Sequence, residues 1–167
     1  VRNPAWVLDS IEQLVRRNAF DVSRIFTTAQ ERSSVYTRAE ALAHRNRMIG
    51  FALSALKEAY FGDDADMMLL VDYEILAARP KETVDLIYDF VGLPRHEHDF
   101  DHVEYEAEDF DTQLLARGLH SVTGKVELKP RRTILPPDLF EQIEQMMFWR
   151  AAVKTKANRI VPSTEAP

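Results

Sequence analysis

Two side chains near the start of the chain have the types and spacing to hold an anion. Arg2 carries a planar fork of N–H donors that matches two oxygens of a phosphate. Ser10, eight residues further on, adds a hydroxyl donor. A charge-assisted hydrogen bond contributes roughly 1.5–3 kcal/mol, so such a pair holds a phosphate usefully. Further along, Tyr73 follows a short apolar run, and Lys129-Pro130-Arg131-Arg132-Thr133 gathers basic residues ahead of the last helical segment. That basic run suits one small anion, and it equally suits a solvated turn.

Other polar groups point to chemistry less specifically. His96, His98 and His102 are interleaved with Glu97, Asp99 and Asp101. Histidine and aspartate together can ligate a metal, but this spacing matches no metal-site pattern. His120 and Ser121, in Leu-His-Ser-Val-Thr-Gly, are candidates for lining an acceptor pocket. Glu141 and Glu144 read as a solvated helix face, and Trp6, Phe148 and Trp149 as packing residues.

The elements that must position these groups follow from hydrophobic spacing. Pro4 suits a first helical turn and Asn3 suits its cap. Val7, Leu8, Ile11 and Leu14 then recur at helical intervals, predicting a helix over 4–17. Residues 21–36 read as a loop with a short helix. Residues 37–60 read as one long helix, opened by a capping box of Thr37 and Glu40 and closed at Gly62. Met67 to Val71 is a continuous apolar run of the kind found in buried parallel strands. A helix over 80–91 follows, started by Pro80 and stopped by Gly92-Leu93-Pro94. Residues 95–112 read as an exposed acidic loop, 119–133 as holding a short extended segment, and 137–152 as a last helix. Strand, short link and helix make the repeating unit of an α/β fold. The expected organisation is the C-terminal part of a single domain over 1–157 with a flexible tail over 158–167.

Composition narrows the function classes. Hydrophobic residues make up 46% of the 167 residues, enough for a real core. The net charge of −6 argues against nucleic-acid binding by the chain as a whole. With no cysteine, disulfides, cysteine-ligated zinc and a cysteine nucleophile are excluded. No apolar run reaches the roughly 20 residues that span a bilayer, and no signal peptide is read. A cytoplasmic location is the expectation.

The stretch Arg2-Asn3-Pro4, with Ser10 eight residues after the arginine, resembles the 3′-phosphate-binding motif of sulfotransferases. These enzymes use 3′-phosphoadenosine-5′-phosphosulfate (PAPS) and leave the product PAP. A second stretch is similar to the family's strand, Tyr-Glu-Asp-Leu, proline-started helix and Phe-Leu-Gly-Leu-Pro. Here it runs Leu70-Val71-Asp72-Tyr73-Glu74-Ile75-Leu76, then Arg79-Pro80, then Asp89-Phe90-Val91-Gly92-Leu93-Pro94. Ile75 replaces the family's usual aspartate. The two motifs stand about 63 residues apart and in the family's order. The resemblance covers most of residues 1–150. It implies that Arg2 and Ser10 bind the 3′-phosphate of PAPS or PAP, and that Tyr73 lies near the adenine. The family's C-terminal Arg-Lys-Gly segment has no match. Carry-over of a phosphate-binding role to Arg132, or to Arg131, rests on their position in the chain alone.

The resemblance further implies an incomplete three-layer, P-loop-like α/β fold, mostly helical in this portion around a short parallel strand core. Neither the family's phosphosulfate loop with its lysine nor its general base matches a segment here. No catalytic residue is therefore assigned, and the chain alone is expected to be inactive. The acceptor is expected to be a small molecule or carbohydrate bearing a hydroxyl or an amine, with a protein tyrosine left open, and the sequence does not choose among them. Two alternatives belong to other classes: a non-enzymatic interaction domain presenting the helix over 37–60, and a relative of the P-loop kinases.

Overall fold

The computed structural model describes residues 1–20, 24–105, 108–120, 122–151 and 153–162. It is a mixed α/β structure, about half helical. The first helix, α1, spans Pro4–Arg17 as its sequence predicts: Pro4 opens it, and the Asn3 side chain accepts a hydrogen bond from the Ala5 amide. Its apolar stripe of Leu8, Ile11 and Leu14 is buried, and so are Asp9 and Glu12. Burial alone pushes the Glu12 carboxyl up. Hydrogen bonds from Arg38 and Arg16 outweigh it and hold the group below the usual 4.5.

The long helix expected over 37–60 is two helices. After a short α2 (Ala29–Arg32), α3 spans Val35–Ala43 and α4 spans Met48–Phe61. The capping box sits one turn earlier than expected: Ser34 and Thr37 bond each other's backbone amides. His44 and Arg47 are extended, with ψ of 141° and 170°, and this breaks the helical path. Gly50 then lies against the carbonyl oxygens of Ala43 and His44, where a Cβ has no room. The helical periodicity carries through both segments, so spacing alone does not disclose the break.

A tight turn at Ala65–Met67 leads into β1 (Leu69–Val71). Asp72 caps the next helix, α5 (Tyr73–Ala78), by accepting from the Glu74 amide at 2.8 Å. Helix α6 (Pro80–Val91) ends on Gly92, whose φ of 68° is the left-handed conformation that glycine accepts without strain. The segment expected as a plain acidic loop holds two short elements, β2 (Val103–Tyr105) and α7 (Glu108–Gln113). Strand β2 pairs antiparallel with β3 (Val122–Gly124), the extended segment expected over 119–133.

The last helix, α8 (Pro137–Glu144), is shorter than its predicted span. Beyond it the chain tightens into turns and a 3-10 segment at Phe148–Arg150, which carries Trp149 into a core with Tyr60, Leu70 and Met147. The flexible tail expected from residue 158 is corrected for residues 158–160. They form β4 (Asn158–Ile160), parallel to β1 in the register Leu69–Asn158, Leu70–Arg159 and Val71–Ile160. Arg159 ties this strand to the Tyr60 hydroxyl at 3.2 Å. Three residues are too few for a periodic signal, which is why the sequence does not reveal the strand. Residues 163–167 lie outside the described residues.

The opposite edge of β1 is also engaged. Val1 donates its amino hydrogen to the Val71 carbonyl, and Tyr73 donates its amide to the Val1 carbonyl at 2.7 Å. These are the slanted bonds of a parallel pair with Val1 opposite Asp72. The Asp72 amide points the other way, to Ile160 at 2.8 Å. Val1 and β4 therefore flank β1 on its two sides.

A second, larger core joins α1, α3 and α8 through Leu8, Ile11, Leu42, Leu139 and Ile143. Burying one such aliphatic side chain contributes roughly 1.5–3 kcal/mol. No helix among the described residues is long and apolar enough to cross a membrane.

Candidate functional site

The backbone pairing of Val1 with β1 sets Arg2 beside Tyr73. Arg2 follows the paired residue and Tyr73 follows β1 by two, so both leave the carboxyl end of the parallel pair together. The Arg2 guanidinium carbon stands 4.9 Å from the centre of the Tyr73 ring. Two turns into α1, Ser10 presents its hydroxyl to the same guanidinium, accepting from Nη2 at 3.3 Å. The Ser10 proton is given to the Trp6 carbonyl at 2.9 Å. The pair Arg2 and Ser10 and the distant Tyr73, which the sequence singles out in two separate stretches, are thus brought together.

A third segment closes over them. Arg131 approaches the same ring, 5.9 Å from its centre, and donates to the Tyr73 hydroxyl at 3.4 Å. Both arginines are exposed, but Arg132 does not line the cleft, so of the two basic candidates it is Arg131 that reaches the ring. The segment is anchored by Asp9. This buried carboxylate accepts from the Thr133 hydroxyl at 2.8 Å and from the Ile134 amide at 2.7 Å. Helix α1 itself is fixed at its start, where Asn3 donates to Glu144 of α8 at 2.8 Å.

The result is a cleft of about 370 Å³ between the start of α1, the start of α5 and residues 128–131. Arg2, Lys129 and Arg131 supply positive charge to its walls; Trp6 and Tyr73 supply ring faces. Trp6 is held by an edge-on contact with Phe140, the ring centres 5.0 Å apart. Among the described residues no carboxylate pairs with Arg2 or Arg131, whereas Lys129 reaches Glu127 at 3.0 Å. Glu74 is the acid on the cleft wall, and Arg150 holds it at 3.2 Å. Such a set of donors suits an anion: two guanidinium groups, a hydroxyl that can turn its proton, and rings on which a flat group can lie.

The other sequence candidates are placed elsewhere. His120 lies on Asp111, with its backbone amide 3.0 Å from one carboxylate oxygen and its Nδ1 2.6 Å from the other. It does not line the cleft. Burial raises the Asp111 carboxyl, and the hydrogen bonds from His120 more than reverse this, leaving it below its usual value. Ser121 lies outside the described residues. His98 meets the Tyr88 hydroxyl at 2.9 Å, and His102 meets Asp99 at 2.9 Å. No group of three or more His, Asp or Glu side chains is placed to hold a metal ion among the described residues.

Comparison of the chain with protein-family models, with curated proteins and with solved structures finds no match in any of them. The site is therefore read on its own geometry. Sequence reasoning missed the parts of Asp9, Glu74 and Trp6. Asp9 carried a signal, being a charged residue on the apolar stripe of α1 between Leu8 and Ile11. The position of Glu74 shows only once Tyr73 is seen to open a helix rather than end a strand.

Proposed function

We propose that this cleft is the 3′-phosphate and adenine side of a PAPS or PAP site, in a three-layer P-loop-like sulfotransferase domain. The observation that carries the reading is the convergence of Arg2, Ser10 and Arg131 around the Tyr73 ring, with neither guanidinium neutralised by a carboxylate among the described residues. Arg2 and Arg131 would grip the phosphate oxygens, and Ser10 would release its proton from the Trp6 carbonyl to add a donor. Tyr73 and Trp6 would flank the base. PAPS, when bound, supplies the sulfuryl group that is transferred to a hydroxyl or amine acceptor. No residue of this chain is assigned to the transfer step.

Calorimetric titration with PAP tests the reading. The chain should bind PAP, and Arg2→Ala should weaken binding roughly tenfold or more, the loss of one charge-assisted contact. Equal affinity in wild type and Arg2→Ala removes the 3′-phosphate assignment.

A further inference from the structure

The cleft carries one feature that an anion alone does not explain. Glu74 stands on its wall among cationic side chains. Its Oε2 takes a hydrogen bond from Arg150 Nη2 at 3.2 Å. The same guanidinium nitrogen is 3.6 Å from Oδ2 of Asp72, whose side chain is only 3% exposed. Arg150 is thereby braced between the two acids, and Glu74 is held in place. The second oxygen, Oε1, has no hydrogen-bond partner among the described residues.

A carboxylate accepts hydrogen bonds and donates none. Glu74 lines the same cleft as Arg2 and Arg131, so a ligand whose phosphate sits on those guanidinium groups lies in the cleft that this carboxylate borders. There an amino or hydroxyl group is satisfied, whereas a carbonyl oxygen faces lone pair against lone pair. Sites built to bond a polar group discriminate strongly against analogues that lack it, because the site's own polar group is then left unpaired.

We infer that Glu74 is a specificity-determining residue: it reads a hydrogen-bond donor on the anionic ligand, so that the cleft selects a phosphate compound that also bears an amino or hydroxyl group. The inference rests on the reading of the cleft as an adenosine-phosphate site. On that reading the donor is the 6-amino group of the base or the 2′-hydroxyl of the ribose.

Three probes separate these sources: PAP, its 6-oxo (inosine) analogue and its 2′-deoxy analogue. Each is titrated calorimetrically into the full chain as wild type, Glu74→Gln and Glu74→Ala. The wild type should bind one analogue roughly tenfold more weakly than PAP, and in both variants that gap should shrink to about twofold or less. A gap against the 6-oxo compound assigns the amino group; a gap against the 2′-deoxy compound assigns the hydroxyl. Glu74→Gln preserves size and carries the test if Glu74→Ala does not fold. Equal binding of all three probes to the wild type, or a gap that persists in Glu74→Gln, overturns the inference. If PAP binds and Arg2→Ala abolishes that binding, the phosphate site stands whatever Glu74 does. If PAP does not bind the wild type, both readings fall.

Discussion

Asp9 and Thr133 are hydrogen-bonded at 2.8 Å although 124 residues separate them. Asp9 belongs to the helix that carries Ser10, and Thr133 ends the segment that carries Arg131. The bond therefore joins two walls of the cleft from behind. Asp9→Ala leaves the Ile134 amide and the Thr133 hydroxyl without their acceptor, a loss of about 1–3 kcal/mol. Urea unfolding should show a lowered midpoint. PAP titration of the still-folded variant should show weakened binding, because Arg131 is no longer held toward Tyr73. Undiminished stability would contradict the anchoring role.

Tyr73 interacts with Arg131 through its hydroxyl and with Arg2 through its ring, and substitutions separate the two. Tyr73→Phe retains the ring and so the contact with Arg2, which at a partly exposed site contributes about 0.5–1 kcal/mol. Its PAP affinity should stay within roughly threefold of wild type, the smaller effect of losing one long hydrogen bond. Tyr73→Ala removes both contacts and the platform, and should lose roughly tenfold or more. A Tyr73→Phe loss as large as that of Tyr73→Ala would move the ring's role to its hydroxyl.

Glu12 makes folding sensitive to acid. Its carboxyl lies below the usual 4.5 in the folded chain, so its contribution is fully present above that pH and is lost as pH falls through the lower folded value. Arg38 meets it with two bonds, at 2.7 and 2.8 Å, and Arg16 with one at 2.8 Å. Glu12→Gln should be less stable than wild type at pH 7 and should show a shallower decline below pH 4.5. Unfolding curves measured at stepped pH check both; parallel curves would remove Glu12 from the acid response.

Gly50 permits the close approach of α4 to the end of α3. A methyl group at this position meets the backbone oxygens of Ala43 and His44, which cannot yield as a side chain does. Gly50→Ala favours the helix locally by up to about 1 kcal/mol, yet it should lower the melting temperature because the two helices must part. A raised melting temperature would show that the junction gives way freely.

Much of this was legible in the residues. Asn3 and Pro4 announce the start of α1, Gly92 announces the end of α6, and residue type and spacing mark Arg2, Ser10 and Tyr73, which the fold brings together. These signals are local, or lie in short motifs. What stayed hidden depends on distant partners. The break between α3 and α4 lies at the extended His44 and Arg47, inside an unbroken helical periodicity, and β4 forms because Asn158–Ile160 finds β1. Arg131 and Arg132 have the same chemistry, and only the folded path of the segment, tied to Asp9 at Thr133, shows that it is Arg131 that reaches the ring.

The rung shared by Val1 and Tyr73 makes the cleft a gauge of strand alignment. Successive residues of an extended chain face opposite ways, so a slip of one position against β1 would turn Arg2 away and bring Asn3 to the ring. An anion gripped by Arg2 and Arg131 at once would act as a removable cross-link between the start of α1 and the segment ahead of α8. Ligand occupancy and the ordering of the pairing are then one equilibrium, and hydrogen exchange at the Tyr73 amide is the place to watch it.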